Sequence, residues 1–117
     1  MATSPYLTSG ISDDFLPLKY VTPAGPIIVA VEKAALQFDP SGSEPEGDDE
    51  WQAIANAIAK TLEPMLPDLC QKYDTTRMQG YSTWKHVDLT RDRLAGEGID
   101  LRSNAHHMLR QSTYQRR

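Results

Sequence analysis

The chain is 117 residues long, carries a net charge of −4 and is 39% hydrophobic, with Cys70 its one cysteine. That length suits one domain that buries its core without a metal, and a lone cysteine excludes an internal disulfide. The longest strongly apolar run, 27–31, falls far short of the roughly 20 residues a membrane helix needs. Residues 1–20 lack the basic start and apolar stretch of a signal peptide, so a soluble protein of the cytoplasm or a virion is expected.

Residues 1–26 read as an extended, proline-rich arm. Pro5, Pro17 and Pro23 push the residues before them out of the helical region. Tyr6, Leu7, Ile11, Phe15, Leu16, Leu18, Tyr20 and Val21 make the arm too apolar for a solvated tail. Such a segment lies along a surface, either its own domain's or a neighbour's. Thr22, Pro23, Ala24 and Gly25 then suit a type I turn.

Residues 27–38 carry two patterns. Ile27, Val31, Ala34, Ala35 and Phe38 match a helical face behind Pro26, and 32–37 are good helix formers. Against that, Ile27, Ile28, Val29 and Val31 are β-branched, and a strand there would pair back on 16–22. We favour the helix, with a short β-hairpin around 16–31 as the alternative.

Residues 39–50 hold no apolar side chain and read as an acidic linker. Its acids lack the spacing and central glycine of a calcium-binding EF-hand loop. Next comes the clearest element in the chain. Trp51, Ile54, Ala55, Ile58, Ala59 and Leu62 form one stripe of a 3.6-residue helix. Asp48, Asp49 and Glu50 stand before it as capping candidates, and Pro64 stops or kinks it. Met65, Leu66, Leu69, Cys70 and Tyr73 suggest a further short helix. Trp84, Val87, Arg91 and Leu94 suggest another over 82–95, closed by Gly96 and Gly98, and Leu101, Ala105, Met108 and Leu109 a last one. The expected fold is therefore mainly α: three to five short helices over 51–117 with a basic tail, preceded by the arm.

Little chemistry is visible. Adjacent His106 and His107 on a helix point about 100° apart, a poor start for a metal site. Cys70 follows Leu69 on a core-facing turn, where a buried thiol is more natural than a nucleophile. The carboxylates sit mostly in a loop with nothing apolar around them to tune a pKa. No cofactor or metal is expected, and no enzyme activity.

Charge is polarised: residues 1–70 sum to −8 and residues 71–117 to +4. With the apolar arm, this favours a non-enzymatic structural or accessory subunit that binds other protein chains, itself included, in a virus or phage particle or another assembly. Tyr6, Phe15, Leu18, Tyr20 and Trp84 are the candidate anchors. Residues 88–117 also loosely resemble a helix-turn-helix. There Arg102, Ser103, Asn104 and His106 would read bases while Arg110, Arg116 and Arg117 neutralise phosphates. A second alternative is an acidic inhibitor or immunity-type protein that covers a basic target with loop 44–50.

Overall fold

The computed structural model describes residues 13–23, 25–38, 44–73, 76–77 and 85–115, without the side chains of 76–77 and 112–115. These residues form an α+β domain, which corrects the mainly α expectation. β1 (Phe15–Thr22) and β2 (Gly25–Glu32) make an antiparallel hairpin in which Leu16 faces Val31, Tyr20 faces Ile27 and Thr22 faces Gly25. The turn closes with the Thr22 hydroxyl on the Gly25 carbonyl at 2.7 Å, and Gly25 takes φ +115°, a backbone few side chains tolerate. β2 pairs on its other side with β4 (Lys85–Leu89), in parallel, placing Val29 beside Val87. A two-residue β3 (Thr76–Arg77) completes the order β1-β2-β4-β3.

The expected helix over 27–38 is a strand followed by a 3-10 turn, Lys33–Leu36. The reason is burial on both faces. Ile27, Val29 and Val31 point into the core with Leu16, Leu18 and Tyr20, while Ile28 and Ala30 on the opposite face are also fully buried. A strand covered on both sides reads as a continuous apolar run, without alternation.

Helices cover the core face. α1 (Asp48–Leu62) buries Ile54, Ala55, Ile58 and Leu62, the predicted stripe, with Trp51 and Ala59 half-buried at its margin. Its N-cap is Gly47 with no capping side chain; Asp48 and Asp49 lie exposed in the first turn, where negative charge favours the helix end, and Glu50 is buried. A 3-10 turn at Pro64 leads to α2 (Leu66–Lys72), which carries Pro67 in its first turn.

The expected helix over 82–95 is a second correction. Residues 85–89 are strand β4, and α3 (Arg91–Glu97) starts only after Thr90, whose hydroxyl accepts the Arg93 N–H at 3.2 Å. Val87 and Leu89 face the core at strand spacing, while Val87, Arg91 and Leu94 also satisfy helical spacing by coincidence. Gly98 closes α3 at φ +71°, and α4 (Arg102–Gln115) packs on α1, with Ala105 and Leu109, and Leu101 just ahead of the helix, in the shared core.

Candidate functional site

β1 buries Leu16, Pro17 and Leu18 in succession and alternates from Leu18 onward, and that alternation decides which of its later side chains meet solvent. Leu18 and Tyr20 point inward and are 2% and 9% exposed; Val21 points outward and is 89% exposed. Leu18 and Tyr20 therefore belong to their own core, a correction to their reading as surface anchors. Phe15 is half-buried, and Tyr6 and Trp84 lie outside the described residues.

Val21 borders a cavity of about 400 Å³ at the hairpin end. Tyr20, Thr22 and Pro23 form one wall and Glu63, Leu66, Pro67 and Cys70 the other, so the hairpin turn and the Pro64 kink create the groove together. Its lining is mainly apolar, with Glu63 the one charged side chain on the rim among the described residues. The Tyr20 hydroxyl donates to the Ala59 carbonyl at 2.9 Å and fixes the wall against α1. Burial, helped by the charge of Glu63, pushes the Tyr20 phenol well above its ordinary range. Burial also raises the Cys70 thiol, partly offset by Lys85, so Cys70 is a thiol wall and not a thiolate nucleophile. No histidine lines this groove.

α4 spends its first side chains on its own chain. Arg102 forms a fork on Asp100 (Nε–Oδ1 and Nη2–Oδ2, each 3.1 Å) and donates to Gln37 Oε1 at 3.0 Å. Asn104 donates to Thr61 Oγ1. His106 donates Nε2–H to the Leu36 carbonyl at 2.8 Å and stacks on Phe38, which meets Trp51 edge-on. Ser103 and Arg110 are exposed, while Arg116 and Arg117 lie outside the described residues. α4 packs on α1, and α3 lies against β4 and the Lys33–Leu36 turn, so α3 and α4 do not form the close pair of a helix-turn-helix.

Elsewhere, Glu97 accepts from Lys72 Nζ at 2.7 Å and from the Tyr73 hydroxyl at 2.8 Å, which together hold its carboxyl below the usual range. The Arg93 guanidinium lies 4.4 Å over the Tyr73 ring. Among the described residues no group of three histidine, cysteine or acidic side chains is placed to hold a metal ion, and no helix is long and apolar enough to cross a membrane. Comparison with protein-family models, curated proteins and solved structures finds no match.

Proposed function

We propose that this chain is a non-enzymatic accessory subunit that binds another protein chain through the groove at the hairpin end. The observation that carries the reading is Val21, a β-branched side chain left 89% exposed on the rim of a mainly apolar groove. Exposed apolar surface with a polar rim is what protein partners cover. The occupant is an apolar segment with a basic residue, because Glu63 supplies the only charge on the lining among the described residues. Asp48 and Asp49 are exposed in the first turn of α1, whereas buried Glu50 is no part of an acidic face.

A peptide-display selection against the full chain tests this directly. Enriched peptides should be apolar with a lysine or arginine, and Val21→Asp should weaken them about tenfold or more, since burying a valine contributes about 1.5–3 kcal/mol. Glu63→Lys should reverse the preference for a basic residue. If no selected peptide responds to Val21→Asp while circular dichroism shows the variant folded, the groove does not bind protein.

A further inference from the structure

A second cavity lies on the opposite side of the topology, where the chain leaves the carboxyl ends of the two parallel strands. β2 runs on into the Lys33–Leu36 turn, and β4 runs on into α3. Between these two exits is a space of about 380 Å³, bordered by Ala35 and Gln37 from the first and by Arg91 and Leu94 from the second, with Asp100 and Arg102 at its end. Sheets with parallel strands place ligands in such crevices, because connections that part beyond the strand ends leave a gap between them.

Its polar groups are set unequally. Arg102 is locked: Asp100 takes its fork, and Gln37 takes Nη1. Gln37 itself sits at φ +52°, a left-handed backbone that costs a non-glycine residue about 1 kcal/mol, and its side chain thus becomes part of the cavity wall. Arg91 is different. Its backbone N–H donates to Glu32 Oε1 at 2.7 Å, so the amide there is spent; the residue borders the cavity and is exposed, and its guanidinium has no hydrogen bond or ion pair among the described residues. On the lining itself two guanidinium groups stand with one carboxylate, beside the apolar surface of Ala35 and Leu94, and the Glu32 carboxylate lies behind the Arg91 backbone.

The geometry points to a binding site for a monoanionic carboxylate carried on a small apolar body, its carboxylate paired with Arg91 and its apolar part on Ala35 and Leu94. A planar fork matches a carboxylate in two parallel hydrogen bonds. A phosphate dianion would set two negative charges near Asp100 and Glu32, where a carboxylate sets one. This site goes beyond the partner groove and does not depend on it. Two sources carry the required chemistry, a free organic acid and the terminal carboxylate of a peptide.

The test is a nitrogen-15 NMR titration of the full chain with hexanoate, with hexanamide and with inorganic phosphate. Hexanoate should shift the amides of Ala35, Arg91 and Ala95, and hexanamide should not. Arg91→Ala should weaken hexanoate about tenfold or more, as losing a charge-assisted pair does. Lys60→Ala, on the exposed side of α1, should leave it unchanged. In a parallel arm, a short apolar peptide with a free terminus is compared with its amidated form; tighter binding than hexanoate by the free form alone assigns the source to a chain end. Equal shifts from hexanamide, stronger shifts from phosphate, or undiminished hexanoate binding by a folded Arg91→Ala variant would each overturn the assignment.

Discussion

Tyr20 combines two demands at a single position: its ring fills the space between β1 and α1, and its hydroxyl must find a partner there. It finds the Ala59 carbonyl, which also accepts the Glu63 N–H at the end of α1. Tyr20→Phe therefore leaves no orphaned acceptor, and the cost at neutral pH should fall at the low end for a hydrogen bond, about 0.5–1 kcal/mol. The larger effect lies at high pH. A phenol whose ionisation is pushed up in the folded state stabilises the fold below about pH 10, where an unfolded tyrosine ionises, and that contribution drains away as pH rises further. Urea unfolding at neutral pH and at about pH 11 should show the wild-type chain losing more stability than Tyr20→Phe. Parallel losses would mean that the Tyr20 phenol does not govern the alkaline limb.

The elements differ in how far the residues alone disclose them, and the cause is burial geometry. α1 has one buried face and solvent on the other, so its stripe from Trp51 to Leu62 stands out in the sequence alone. β2 has no such contrast, since Ile28 and Ala30 are as buried as Ile27 and Val29. β4 is only five residues long, too short for Val87 and Leu89 to outweigh a competing helical spacing. The groove was hidden by the same ambiguity: Val21 stands out as the exposed apolar residue only once Leu16, Leu18 and Tyr20 are known to alternate inward along a strand. Helix ends are more legible, because they depend on single residues. Gly98 ends α3 in the left-handed region, donating its N–H to the Leu94 and Ala95 carbonyls, and a Cβ there would meet nothing within 4 Å. The cost of Gly98→Ala is then purely conformational, about 1 kcal/mol. A thermal melt should register it as a small drop in Tm with unchanged circular dichroism. No drop would mean that the loop after α3 relaxes freely, and the wall it gives the carboxylate cavity would then be loose.

For the whole molecule, the decisive fact is that sheet and helices share one apolar core. Leu16 and Leu18 from the hairpin, Val87 and Leu89 from β4, and Ile54, Ile58 and Leu109 from the helices form a single contiguous cluster. The polarity of charge along the chain does not divide it: the Lys72–Glu97 and Arg102–Asp100 pairs lie within the basic half, while the core draws on both halves. A hairpin alone is marginal in water, and α1 alone is near the length where isolated helices fail. Each therefore depends on the other, and unfolding should be one cooperative transition. Ile58 tests the coupling, being fully buried on α1 against this cluster. Ile58→Ala should lower stability by about 2–5 kcal/mol and move helical ellipticity and Trp51 fluorescence together, read in a Trp84→Phe background. Trp51 reports on α1 and its contact with Phe38, and the ellipticity reports on all the helices. Two separated transitions would show that α1 can leave the sheet while the rest holds. The groove would then lose one of its two walls before the protein unfolds, since Glu63, Leu66, Pro67 and Cys70 follow directly from the end of α1.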